Sequence, residues 1–198
     1  MSIREKFIVT KKYNTIAIAL MVVGLLAIVA LYATHGSKND PHEQARFWGS
    51  LLQNSVYFLL TVNAAMFFIC ATTLAWGGWQ MGFRRVSEAI STCVPVVGTI
   101  CGVILLVICF GSNHELYHWT DAHHVAEDPV LNFKKGFLNK NFFAFWTVFT
   151  IVAWSLLGWK MRKLSRSLDE KPLATVGERK KYMWNNTVWA ALFIVIFA

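Results

Sequence analysis

The amino-acid sequence predicts an all-α, polytopic membrane protein, and three observations carry that prediction. Of 198 residues, 56% are hydrophobic and only 15% charged, whereas a soluble domain carries about a quarter charged residues. Long runs free of Asp, Glu, Lys, Arg and His recur along the chain. The basic residues between those runs concentrate in alternate connecting segments. The same composition excludes disorder, since four Pro and twelve Gly accompany 15% aromatic residues. Four Cys without a C-x-x-C pair exclude a zinc ribbon, a thioredoxin-type site and a c-type haem attachment.

The charge-free runs are Tyr13–Thr34, Phe47–Phe83, Ala89–Asn113, Asn141–Trp159 and Tyr182–Ala198. About 20 apolar residues at 1.5 Å each cross roughly 30 Å of hydrocarbon. Five transmembrane helices are therefore expected, near Thr15–Ala33, Ser55–Trp79, Ile90–Phe110, Phe142–Trp159 and Trp184–Ala198. A β-barrel would show short alternating segments instead of continuous runs. The first helix reads as a signal anchor, because its apolar core is long and Ala30-Leu31-Tyr32-Ala33 is a poor cleavage site. The second run is too long for one straight crossing. Asp40-Pro41 opens it with an N-cap-plus-Pro signal, so a helix is expected to begin in the outer interface and bend or tilt inward near Gln53-Asn54. Pro95 is expected to kink the third helix. The last run reaches Ala198 without a charge or polar cap, so a piece of a longer polytopic chain is expected.

Charge placement sets the orientation. Arg4, Lys6, Lys11 and Lys12 precede the first run, Arg84 and Arg85 follow the second, and Lys160, Arg162, Lys163, Arg166, Lys171, Arg179, Lys180 and Lys181 follow the fourth. These are 14 of the 19 basic residues, and the positive-inside rule places them and the N-terminus in the cytoplasm. Trp76, Trp79, Trp159 and Trp184 at the inner ends and Trp48 and Trp119 at the outer face fit aromatic belts. The net charge of +8 is thus a topology signal and a contact for anionic phospholipids, not a nucleic-acid patch.

No charged residue or His lies in the middle of a run, which argues against bis-histidine haem ligation and against a self-contained pump. Asn54, Thr61, Asn63, Thr147 and Thr150 are the candidate members of a polar path. Their commoner use is hydrogen bonding within and between helices. Cys93, Cys101 and Cys109 recur every eight residues and read as small buried apolar residues.

The outer loop holds His114, His118, His123 and His124. His114-Glu115-Leu116-Tyr117-His118 matches H-E-x-x-H, in which two His share a helix face around zinc. Asp121 replaces the turn Gly of the longer signature, no Met-turn follows, and the flanks are membrane helices, so zinc proteolysis is rejected and no metal is assigned. A structural metal on His114, His118 and His124 is the lesser alternative. The preferred reading is an outer helical extension of the third span, making interfacial and partner contacts. His114, Glu115, Tyr117, His118 and Asp121 are the candidate quinone or proton contacts, because His and Tyr can donate and accept the protons that quinol oxidation moves.

Several strings are not explained by hydrophobicity: Glu115-Leu116-Tyr117-His118-Trp119-Thr120, His123-His124, Asp128-Pro129-Val130-Leu131, Lys134-Lys135-Gly136-Phe137-Leu138-Asn139 and Asn141-Phe142-Phe143. Together with Arg46-Phe47-Trp48-Gly49-Ser50-Leu51-Leu52-Gln53-Asn54 and Met161-Arg162-Lys163-Leu164-Ser165-Arg166-Ser167-Leu168-Asp169, they span roughly residues 41–170. This pattern resembles the membrane subunits of bacterial alternative complex III, the quinol:cytochrome c oxidoreductase, and most closely its quinone-binding subunit 2 type.

The resemblance implies an NrfD-like subunit of about ten helices in two four-helix bundles, of which this chain would be the N-terminal half. Residues 1–34 would be a cytoplasmic tail and peripheral helix. Residues 35–198 would form the first bundle, with spans near 55–79, 90–110, 142–159 and 184–198, a periplasmic loop 111–140 and a basic cytoplasmic loop 160–183. It implies a bacterial inner membrane and a complex that oxidises quinol and passes electrons to cytochrome c or an oxidase. The partners would be a paired NrfD-like membrane subunit, haem c subunits and an iron–sulfur subunit. Quinone or menaquinone would belong to the complex, and no haem, Fe–S cluster or zinc is expected in this chain. Quinone-binding relatives hold the head group near the outer face between a His and a carboxylate. His114 or His118 would stand for the His, but Asn141–Thr150 contains no Asp or Glu. A supporting role, or a share in a proton path, is the alternative to a quinone site. The competing identities are an NrfD-type anchor of a polysulfide- or nitrite-reductase-like complex and, from another class, a transporter or metal-handling protein with a His-rich outer loop.

Overall fold

The computed structural model describes residues 9–36, 40–111, 116–170 and 175–198, with the side chains of Ala122, His124 and Glu170 outside the description. The described residues are 88% helical and contain no strand. Four helical stretches are long and apolar enough to cross a membrane: Lys11–Gly36, Pro41–Leu74, Arg84–Phe110 and Lys140–Asp169.

The chain divides into two compact units, with the boundary between Trp48 and Gly49. In the first, α1 (Lys11–Leu31) buries no residue. A helix apolar on all sides and lacking a buried face suits hydrocarbon rather than water. It runs into a π-helical turn, Tyr32–Gly36. There Tyr32 packs edge-on against Phe47 at 5.8 Å and Trp48 at 6.2 Å, and His35 Nδ1 meets Glu43 Oε2 at 2.6 Å. A Cβ on Gly36 would lie 2.6 Å from the Tyr32 ring, so only Gly fits this turn. Helix α2 (Pro41–Leu74) then starts as expected, with Pro41 as its first residue and Asp40 Oδ1 accepting the His42 amide.

The second unit is a helix bundle. The rest of α2 runs without a break through Gln53 and Asn54, so no interruption marks the expected bend. Its buried residues Leu59, Asn63, Met66 and Cys70 follow 4-3-4 spacing, the stripe of a helix facing one side of a bundle. It ends at Leu74, short of the expected Trp79. The Gly77 amide returns to the Thr72 carbonyl and the Trp76 amide to that of Thr73, a Schellman cap with Trp76 in the left-handed position at φ 55°. A charge-free run shows where water-seeking groups resume, and the helix stops earlier.

The third crossing is two helices, α3 (Arg84–Ser91) and α4 (Val94–Phe110). Pro95 has no amide to offer the Ser91 carbonyl, and the helix is interrupted at Thr92–Cys93, one turn before it. On α4, Cys101 and Cys109 are buried as expected, while Cys93 at the break is exposed. Beyond α4 the expected helical extension is absent from the described residues. Gly111 turns the backbone extended (ψ 169°), and Tyr117 is non-helical (φ −128°, ψ 81°). His114 and Glu115 lie outside the described residues. Tyr117, which the H-E-x-x-H reading would place inside a helix, is itself non-helical. Two short helices follow, α5 (Ala122–Glu127) and α6 (Pro129–Lys134), the latter capped by Asp128.

Helix α7 (Lys140–Glu170) overruns its expected end at Trp159 by three turns. Helix α8 (Val176–Phe197) starts two turns before the expected Trp184, on a capping box between Thr175 and Glu178. Lys and Arg are good helix formers, so the basic segment beyond each apolar run stays helical at both ends. The polar first half of α8 also explains why it is not among the four membrane-length apolar helices. Helix α7 sits between α4 and α8. Gly98 and Gly102, one turn apart on α4, receive Ile151 of α7 so closely that added Cβ atoms would stand 3.0 and 2.7 Å from it, the close approach that small-xxx-small pairs allow. Met66, Ile69 and Cys70 of α2, Leu157 and Met161 of α7, and Ala190 and Phe193 of α8 close the core.

Candidate functional site

Three places in the bundle gather polar chemistry. The first is the end carrying the 116–143 segment. Leu116 lies 3.5 Å from the space a Gly49 Cβ would fill, which brings α2 at Gly49 against the loop. Tyr117, Trp119 and Phe143 form a triangle of rings with centroids 5.4–5.9 Å apart. The buried Thr120 donates its hydroxyl to the Tyr117 carbonyl at 2.7 Å. Burial pushes the Tyr117 hydroxyl above its ordinary pKa, so it stays neutral and can donate a hydrogen bond. His118 opens a single 3₁₀ turn, and Asp121 Oδ1 accepts the His123 amide at 3.0 Å. Of the candidate quinone contacts, Tyr117, His118 and Asp121 thus share one short stretch. No group of three metal-ligating side chains occurs among the described residues.

The second place is the basic end, and hydropathy singles out none of its residues. Arg84 and Glu88 of α3 are buried and paired, Nε to Oε1, at 2.9 Å. Arg84 Nη2 also donates to Asn186 Oδ1 of α8 at 3.1 Å. Arg85 binds the other Glu88 oxygen at 2.9 Å and reaches Asp169 of α7 at 2.6 Å. One four-charge cluster therefore ties α3, α7 and α8 together. Beside it, buried Gln80 donates to Thr73 Oγ1 and accepts from Thr72. A cavity of about 180 Å³ is lined by Thr73, Gln80, Arg84, Tyr182 and Asn186. The Tyr182 hydroxyl is buried without a hydrogen-bond partner, and burial raises its pKa. The available sequence signal is the Arg84-Arg85-x-x-Glu88 spacing, which puts both guanidinium groups within one turn of the carboxylate.

The third place is within the bundle. Of the candidate polar-path residues, Asn54, Thr61 and Thr150 each donate to the carbonyl one turn back on their own helix, and Thr147 lies beside Gly102. Asn63 differs. It is fully buried in the 4-3-4 stripe of α2, and neither Oδ1 nor Nδ2 has a partner. A cavity of about 190 Å³ adjoins it, bounded by Met66 of α2, Ser91 and Pro95 at the α3–α4 break, and Trp154, Ser155 and Arg162 of α7.

Neither family models nor curated proteins match this chain.

Proposed function

We propose that this chain is an integral membrane subunit of a bacterial quinol-oxidising complex of the alternative complex III type. It sits in the inner membrane with the basic end and the N-terminus in the cytoplasm, and α8 makes a fifth crossing. Its partners are a second NrfD-like membrane subunit, haem c subunits and an iron–sulfur subunit. The reading rests on the resemblance carried by residues 46–54, 115–143 and 161–169. One observation supports it most: two of these segments meet, Gly49 of the first facing Leu116 of the second, within which Trp119 packs on Phe143 at 5.4 Å. Hydrophobic patterning alone does not require such a built outer face, and an aromatic surface is well suited to a partner subunit.

On that face Tyr117 and His118 are the groups able to exchange protons with a quinol head group. Tyr117, its ring fixed between Trp119 and Phe143 and its hydroxyl kept protonated by burial, is placed to hydrogen-bond a head-group oxygen, and the His118 imidazole is the group that would accept the proton a quinol gives up. The test is purification of the tagged chain from native membranes in mild detergent, with the co-purifying subunits identified by mass spectrometry. Multihaem cytochrome c and iron–sulfur subunits are expected. Recovery of a molybdenum-type reductase would reassign the chain to the anchor of such an enzyme, and recovery of the chain alone would end the proposal.

A further inference from the structure

An amide buried in a helix bundle without a partner costs free energy that the fold must offset elsewhere. Asn63 carries two donor hydrogens and an acceptor oxygen in that condition. A hydrophobic residue would suit the same stripe position better, between Leu59 and Met66. Asn63 is among the residues that line a cavity, and the chemistry of that cavity restricts what fills it. The hydroxyls of Ser91 and Ser155 donate to the carbonyls of Glu88 and Ile151 at 2.8 and 2.7 Å, and that of Thr92 donates to Ala89. The donor groups left along the cavity are the Asn63 amide, the Arg162 guanidinium and, at its exposed edge, the Trp159 indole N–H, and the remaining walls are Met66, Val94, Pro95, Trp154 and Gly158. Donor groups set in apolar and aromatic walls complement a flat ring with acceptor oxygens. Arg162 disfavours a cation. Pro95, Thr92 and Trp159, which also border the cavity, are exposed on the flank of the bundle, so the opening faces the lipid side. The volume of about 190 Å³ suits one ring, since an apolar cavity of roughly 150 Å³ accepts benzene.

We infer that this cavity is a binding site for the head group of a membrane-dissolved quinone or quinol, with Asn63 as its hydrogen-bonding residue. The inference rests on the proposed quinol-oxidising role and adds a second position for the same class of ligand, distinct from the Tyr117 face. Because the amide is closed off in the structure, Met66 is the side chain that yields on entry. It lines the same cavity, and an unbranched thioether changes rotamer at little cost.

The test is photolabelling with an azido-quinone in native membranes that contain the tagged chain, with decyl-ubiquinone as competitor and peptide mapping of the recovered chain. Labelling inside the membrane makes the result independent of which subunits later co-purify. Saturable, competed label is expected on the peptides containing Asn63 or Trp154–Arg162. Asn63→Leu should weaken competition there by about tenfold, the effect of one lost hydrogen bond. It should also raise the unfolding temperature of the chain, which shows that the variant is folded. Ser155→Leu fills the cavity from the opposite helix and should abolish the same label. Label confined to the 116–143 segment, absence of competition, or labelling unchanged in both variants would overturn the site and leave water as the occupant.

Discussion

Arg84 Nε donates to Glu88 Oε1 across 2.9 Å, with the two side chains only 5% and 4% exposed. The pair is desolvated, and Glu88 alone answers both Arg84 and the inner face of Arg85. Glu88→Ala leaves a buried guanidinium with only Asn186 for company and should destabilise by about 3–5 kcal/mol. Arg84→Met combined with Glu88→Leu removes both charges and should recover most of that loss. Asp169→Asn should cost under about 1 kcal/mol, since Arg85 and Asp169 are both about half exposed. Unfolding of the purified chain in micelles, followed by circular dichroism, ranks the three.

Gly98 and Gly102 meet different parts of Ile151, which separates two substitutions of the same kind. Gly102→Ala brings a Cβ to 2.7 Å from Cδ1, and Gly98→Ala brings one to 3.0 Å from Cγ2. Each should cost about 1–2 kcal/mol by overpacking. Ile151→Val deletes Cδ1 and keeps Cγ2. It should rescue Gly102→Ala and leave Gly98→Ala unrelieved, as read by the same unfolding measurement.

The Tyr182 hydroxyl is buried and unpaired, and its folded pKa is raised above the ordinary 10.0. Its contribution to stability is complete below the unfolded value and is lost as pH rises through the folded value. Tyr182→Phe should therefore match the parent near neutral pH, or exceed it slightly, and should unfold less steeply above about pH 10. Unfolding temperatures measured across that alkaline range check both parts.

Thr175 and Glu178 close a capping box at the start of α8. Thr175→Ala should cost about 1 kcal/mol and speed amide exchange at Glu178, whose N–H the Thr hydroxyl accepts at 3.2 Å. Exchange in the apolar half of α8, around Ala190 and Phe193, should not change.

The parts legible in the sequence are those governed by neighbours along the chain. Asp40-Pro41 starts a helix and Pro95 interrupts one, because each acts within a single turn. The four membrane-length helices follow from the absence of charge over a run. The ends of α7 and α8 are not legible that way, since Lys160–Arg166 and Arg179–Lys181 leave the apolar run without leaving the helix. Trp76 takes a left-handed cap position beside Gly77, where the composition would favour the glycine. The site is harder still. Arg84 and Glu88 read as surface charge until Asn186, 102 positions away, comes alongside. Asn63 looks like Asn54 and Thr61 in the sequence. Only the packing of α2 shows that the 4-3-4 stripe turns Asn63 inward and leaves the other two facing out.

The most direct test of the account is the activity that comes with this chain. A tag on it should bring from native membranes a preparation with a reduced-minus-oxidised haem c spectrum and quinol-dependent reduction of cytochrome c. Within that intact complex, His118→Ala should slow the turnover. A preparation without haem c that moves no electrons from quinol, though the chain is folded and in the membrane, would contradict the proposed function.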